Sequence, residues 1–345
     1  MKKVIGMDLG DKKNVIVVFD DEGNEVVKTS IANTAQQVQK FFAKHPGAVV
    51  VIEAGTHSPW ISRLLSKMGH EVCVGNPRKL RAIWDADDKS DERDARILAM
   101  MYRLEPRLLH AIQHRGEQVQ ADLEMIKARD TLVRTRASLV NHARGTVKAM
   151  GQRLPSCSVE SFAARAPAEI PAIMGEALTP IVETIRELTE RVKQLDRQIG
   201  YLCRDRYPET QYLLQVGGVG PITALAFVLT IETPDRFKKS RAVGAYLGLT
   251  PRRDQSGETD RQMHITKAGN RYLRRLLVGC AQYILGAFGP DCDLRRYGAR
   301  IAARGGKRTK KCAAVAVARK LAVKLHRLWA DAAEYQPLMA ERKAA

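Results

Sequence analysis

The sequence predicts an α/β domain followed by an all-α remainder. Three observations carry this. The first hundred residues alternate short β-branched apolar runs with helix-length segments, and from Pro106 onward the apolar positions recur at steps of three and four. Across the 345 residues, Lys and Arg outnumber Asp and Glu by 57 to 38, a formal charge of +19, with the cations gathered in the C-terminal half. So large an excess points to a polyanionic partner rather than a small neutral substrate, and a basic soluble protein without one is the plain alternative.

Val4–Asp8, Asn14–Asp20 and Glu25–Ile31 are β-branched and apolar, with Gly10-Asp11 and Asp21-Glu22-Gly23-Asn24 between them, so they read as a three-stranded antiparallel meander. Ala35–Lys44 reads as a helix ended by His45-Pro46-Gly47. The unbroken apolar run Ala48–Ile52 reads as a central strand that stops at Glu53. Trp60–Met68 follows as a helix and Glu71–Val74 as a short strand. Lys89–Ala95, reading Lys-Ser-Asp-Glu-Arg-Asp-Ala, then opens a further helix, with Ser90 suited to the N-cap and Asp91 and Asp94 on one face. Strands and helices in this order are those of a ribonuclease-H-like (RuvC-like) fold, expected over residues 1–108.

On that order Asp8 leaves the first strand, Glu53 ends the central one, and Asp91 and Asp94 arrive with the last helix. Four hard-oxygen donors so placed suit one or two Mg²⁺ ions and phosphodiester chemistry. Singly, each has a duller reading: a turn acceptor, a strand-end carboxylate, a well-capped solvated helix start. Asp8-Leu9-Gly10 before a hairpin is also similar to the phosphate loop of actin-like and sugar-kinase ATPases, but no second Gly-rich loop of the required kind follows.

Residues 109–207 read as a helical, coiled-coil-like spacer. Leu123, Ile126, Val133, Ala137, Val140 and Val147 keep heptad-like spacing with a polar gap at Asp130; beyond Pro155, Pro167 and Pro171 the set Ile181, Ile185, Leu188, Val192, Leu195, Ile199 and Leu202 does the same. Such stripes pack against each other in a hairpin or against another subunit, and the spacing leaves both open.

Residues 208–345 read as a mostly helical third domain. Val216-Gly217-Gly218-Val219-Gly220-Pro221 before the apolar helix Ile222–Thr230 is similar to a helix-hairpin-helix phosphate contact, or is simply a tight turn that needs glycine. Arg271, Arg274 and Arg275 fall at helical spacing. With Arg252, Arg253, Lys267, and Lys307 and Arg308 of the block Arg304–Lys311, they are the candidate nucleic-acid contacts. In the closing helix Ala313–Trp329, Arg319, Lys320, Lys324 and Arg327 are left solvated or bind backbone. By composition Ser256 is only a turn residue before Gly257. Cys73, Cys157, Cys203, Cys280, Cys292 and Cys312 show no metal-ligand spacing, so reduced thiols without zinc are expected. The absence of a bilayer-length apolar run or a secretory leader predicts a cytoplasmic protein with no membrane partner.

Taken together, Glu53-Ala54-Gly55-Thr56-His57-Ser58-Pro59-Trp60, Lys89–Ala95, Gly248-Leu249-Thr250-Pro251, Gln255-Ser256-Gly257 and Ile265-Thr266-Lys267-Ala268-Gly269-Asn270 resemble the transposases of the insertion-sequence one-ten family, bridge-RNA-guided recombinases related to the Piv invertases. The resemblance spans nearly the whole chain. It implies that Asp8, Glu53, Asp91 and Asp94 hold Mg²⁺ and that Ser256 is the nucleophile, forming a phosphoserine link to DNA. It also implies a noncoding RNA pairing with donor and target DNA, a homo-oligomer (dimer or tetramer), and Ser256 acting with the acidic domain of another subunit. Ser90 stands where many relatives carry Thr, which preserves the cap. A RuvC-like nuclease hydrolysing branched DNA, which would not need Ser256, and a catalytically silent nucleic-acid binder are the alternative functions.

Overall fold

The computed structural model describes residues 2–80, 90–257 and 259–339, so Lys89 and Glu258 lie outside the described residues, as does the side chain of Lys307. The chain divides into two compact units, Met1–Gly116 and Glu117–Ala345.

The first unit is built on strands β1 (Val4–Leu9), β2 (Lys13–Phe19), β3 (Glu25–Ala32), β4 (Val49–Glu53) and β5 (Glu71–Gly75), with helices α1 (Ala35–Phe42), α2 (Ser58–Lys67), α3 (Pro77–Leu80) and α4 (Asp91–Leu104). The strands lie in the order β3-β2-β1-β4-β5. β1, β2 and β3 pair antiparallel, as the short turns between them require, while β1, β4 and β5 are parallel and joined through helices. Because strand side chains alternate, each strand feeds two cores. Ile5, Met7, Val50 and Ile52 pack with Val38, Phe42, Ile61 and Leu65 of α1 and α2. Val4, Val49 and Val51 pack on the other face with Ala95, Leu98, Ala99 and Met101 of α4. The apolar run of β4 is thereby explained: a strand buried on both faces has no polar side to alternate.

α4 begins where sequence places it, with Ser90 Oγ accepting from the Arg93 N–H at 3.2 Å. It lies unusually low on the sheet. A Cβ added to Gly6 in β1 would stand 2.9 Å from the Ala95 carbonyl carbon and 3.1 Å from the Ala99 methyl. Nothing in the periodicity marks Gly6, although a lone glycine inside an apolar strand is the usual sign of close backbone approach.

The second unit holds α5 (Glu117–Ala149), α6 (Phe162–Arg165), α7 (Gly175–Tyr201), α8 (Thr210–Leu214), α9 (Pro221–Ile231), α10 (Arg241–Tyr246), α11 (Arg271–Leu285), α12 (Asp293–Ala302) and α13 (Lys307–Ala330), with strands β6 (Pro251–Ser256) and β7 (Thr259–Ile265). α5 and α7 form a hairpin within the chain. Arg129 forks onto Asp196 at 2.5 and 3.1 Å, and Arg136, buried, donates to Thr189 at 3.2 Å and Glu160 at 2.7 Å. The polar gap at Asp130 has a partner on another helix, since Asp130 accepts from Arg275 of α11 as well as from Arg134. α9 is buried from Thr223 to Ile231, which accounts for its apolar all-round composition. The turn before it needs its glycine: Gly218 has φ +88°, and a Cβ there would stand 2.7 Å from the Tyr283 ring. The all-α expectation needs one correction, the antiparallel hairpin β6–β7. Its strands, Pro-Arg-Arg-Asp-Gln-Ser and Thr-Asp-Arg-Gln-Met-His-Ile, carry no apolar alternation, so the sequence leaves them unmarked as strands.

Gly6→Ala is expected to push α4 off β1 and to lower unfolding stability by about 1–3 kcal/mol, as overpacking does; the urea midpoint of the variant against the parent chain measures it.

Candidate active site

The sheet's alternation aims two carboxylates at α4. Asp8 is in step with Val4 and Gly6, and Glu53 with Val49 and Val51, the residues of the α4-facing core. Asp91 and Asp94 continue N-terminally the same helix face that buries Ala95, Leu98 and Ala99. All four therefore meet at one edge of the sheet.

The electrostatics of Asp8 report that meeting. Its pKa is pushed up to about 6, first by burial and then by the charges of Asp91, Asp94 and Glu53, against a lowering hydrogen bond from the Leu9 N–H. The third acid of the same helix turn is treated otherwise: Glu92 lies 2.6 Å from Lys28 and 3.2 Å from Arg96, and these cations hold its carboxyl below the usual range. Among the described residues no three His, Cys, Asp or Glu side chains are close enough to hold a metal as they stand. The charges of Asp91, Asp94 and Glu53 all act on Asp8.

Ser256 is exposed at the end of β6, paired with Thr259 across the turn, and its hydroxyl has no hydrogen-bond partner among the described residues. Gly257 follows with φ +53° and, its chain neighbours aside, nothing within 4 Å of where a Cβ would stand. The base of this hairpin is locked by backbone contact. Lys267 N–H donates to Gly248 O at 3.1 Å and Thr266 N–H to Thr250 O at 2.9 Å, and Gly248 and Gly269 sit so close to the opposing backbone that neither position has room for a Cβ.

The cationic candidates divide. Arg252, Lys267, Arg271 and Arg308 are exposed, Lys267 with φ +55°, while Arg253 is also exposed but forks onto Asp260. The helical stripe is broken. Arg274 donates to the carbonyl oxygens of Leu247 and Ala268 at 2.9 and 2.7 Å, and Arg275 pairs with Asp130 while lying over the Tyr272 ring. Spacing alone cannot distinguish an arginine that faces solvent from one that ties two loops together. Neither periodicity nor charge marks His57 and Trp60; their one signal in the sequence is an imidazole four residues beyond Glu53.

Residues 5–151 match a family described as transposase, and residues 210–297 match the transposase IS116/IS110/IS902 family. A probable family 20 transposase of Pseudomonas aeruginosa is 31% identical over 84% of this chain and 86% of its own length. The transposase for insertion sequence element IS1328 of Yersinia enterocolitica is 29% identical over 81% of this chain and 83% of its own. A pilin gene-inverting protein of Moraxella lacunata is 30% identical over 40% of this chain and 43% of its own. These likenesses define a DNA transposase. More narrowly, the chain belongs to the IS110/IS116/IS902 family.

A carboxylate whose folded pKa exceeds its unfolded value of 3.8 binds its proton more tightly in the native state, so stability on its account falls as pH rises from about 4 to about 6 and stays lowered above. Asp8→Asn removes that loss. In chelator, the variant is expected to melt above the parent at pH 7.5, with the difference vanishing toward pH 4; thermal melts across that range check it.

Proposed function

We propose that this transposase cuts and rejoins DNA at the edge formed by Asp8, Glu53, Asp91 and Asp94, through a covalent link between Ser256 and a DNA phosphate. The observation that supports the reading best is the convergence on Asp8: three further carboxylates raise its pKa, a repulsion that a divalent cation relieves. The donor set fits, being hard carboxylate oxygen throughout, and Mg²⁺ is the ion proposed. Bound there, it would supply Lewis-acid stabilisation of charge developing on the phosphate oxygens. The strand order β3-β2-β1-β4-β5, with its carboxylates at one edge, supports a ribonuclease-H-like, RuvC-like first domain.

The protein's own residues have defined tasks in this reading. Ser256 Oγ forms a new bond to phosphorus and loses its proton, the bond to the leaving strand end breaks, and that end takes up a proton. The resulting phosphodiester keeps the energy of the broken one, so attack by a second DNA hydroxyl restores the serine and joins strands without ATP. Hydrolysis would not conserve it. Exposed Arg252, Lys267, Arg271 and Arg308 are proposed to contact phosphates, whereas Arg274 and Arg275 first hold their own loops and helices. We further propose a division of the chain into 1–108, a spacer 109–207 and a third domain 208–345, assembly into a dimer or tetramer, and guidance by a bridge RNA. The last rests on family membership and is tested by sequencing RNA that copurifies.

Asp8→Ala, Glu53→Ala, Asp91→Ala and Asp94→Ala should each abolish strand cleavage while leaving DNA binding, carried by the cations, within about threefold of the parent. Trapping the wild-type reaction on labelled DNA, digesting with protease and weighing the peptides should show the adduct on Ser256. Cleavage by Ser256→Ala without any adduct would return the chain to the hydrolytic nucleases.

A further inference from the structure

Within Gly55–Trp60, Trp60 packs against the core on the α1 and α2 side and Ser58 is buried, while His57 has a side chain that neither the core nor the carboxylate cluster accounts for. β1 and β4 are parallel neighbours, so the chain leaves both at one edge and the loops after Asp8 and Glu53 start side by side. They meet at a histidine: His57 Nε2 lies 3.5 Å from Asp11 Oδ1. On the ring's other side, Trp60 Nε1 donates to His57 Nδ1 at 3.3 Å. An indole nitrogen can only donate, so Nδ1 is the acceptor and the ring proton resides on Nε2. In this arrangement the ring directs its Nε2–H toward the loop that follows Asp8.

The loop that carries it is fastened independently. The Gly55 N–H donates to Ser58 Oγ at 2.9 Å, and the same oxygen lies 2.8 Å from Gly55 O and 2.9 Å from His114 Nε2. Ser58 is fully buried. A rigid loop and a tautomer fixed by a neighbour are what a preorganised donor requires. The present partner of Nε2–H is weak by comparison. The Asp11 side chain is 92% exposed and its oxygen stands at 3.5 Å, so another anionic oxygen can take its place at small cost.

We propose that His57 contacts the substrate, donating its Nε2–H to a non-bridging oxygen of the DNA phosphate at the carboxylate edge, with Trp60 as the positioning residue that fixes the tautomer. This rests on the reading of that edge as the phosphodiester site. A neutral donor suits the position. Lys or Arg there would be drawn into ion pairs with Asp8 and Glu53 and would compete with a divalent cation, whereas an uncharged N–H binds phosphate oxygen and leaves the carboxylates to the metal.

The test uses full-length protein and a duplex bearing the joined ends of its own element, in magnesium buffer, with thermal melting of every variant alongside. His57→Ala should cleave about a hundredfold more slowly than the parent, the loss expected for one preorganised donor. His57→Gln places an uncharged N–H near the position of Nε2 and should recover to within about tenfold of the parent; Trp60→Phe keeps a ring but removes the lock and should lose about tenfold. The His57 and Trp60 variants should melt close to the parent, and Asp8→Asn should be inactive. Cleavage by His57→Ala within about threefold of the parent, with Asp8→Asn inactive, overturns the proposal. So does a folded His57→Gln as inactive as His57→Ala, which would make the ring a metal ligand or a base. Should His57→Ala fail to fold, the Gln and Phe variants decide by the same criteria. Cleavage by Asp8→Asn would overturn the reading of the edge itself.

Discussion

The first unit depends on the near contact of two backbones. A helix lies this low on a strand only where side chains are absent or minimal, and Gly6 against Ala95 and Ala99 supplies that condition. Asp8 stands two residues along β1 from Gly6, and Asp91 one helical turn before Ala95. Two strand residues and one turn of helix each cover about 5–7 Å, so the approach brings these acids level at the same edge. A bulkier residue at position 6 would separate them without altering any of them.

Gathering the acids raises an electrostatic cost that the fold distributes unevenly. Glu92 is given to Lys28 and Arg96, and Arg96 in turn reaches Glu25 at 2.8 Å, so the outer side of the turn is neutralised and tied to β3. Ser90 caps the helix, and the positive end of its dipole favours Asp91. Among the described residues the groups acting most strongly on Asp8, after burial, are the other three carboxylates, opposed by one backbone N–H. Within a few residues the same chemistry is used in two ways: ion pairs that hold α4 to the sheet, and a group of like charges that raises the pKa of Asp8.

The second unit shows why net charge is a poor guide to particular cations. Arg129, Arg136, Arg206, Arg274, Arg275 and Arg295 are all engaged with the chain's own oxygens. Asp122, buried, accepts from Arg206 at 3.0 Å and from the Tyr207 hydroxyl at 2.7 Å, a satisfied polar pair rather than a site. The Ser256 hairpin is the opposite case. It is exposed along most of its length and rigid at its base, where Gly248 and Gly269 let two loops interlock.

The sequence by itself determined the first unit's strands to within about a residue, because apolar β-branched runs between Gly and Asx turns have few other solutions. It also placed the α4 cap and all four acidic positions. It placed the helical stripes of α5 and α7 too, though it left their partner open and gave no reason for the gap at Asp130. What only the tertiary structure decided are relations between residues distant in sequence: Gly6 beneath Ala95, Asp130 with Arg275, Arg274 on two loops, His57 between Asp11 and Trp60. The physical reason is the same for each. Periodicity records which face of an element is apolar, but a polar side chain's partner depends on where another element comes to rest, and a strand as polar as β6 carries no period to read.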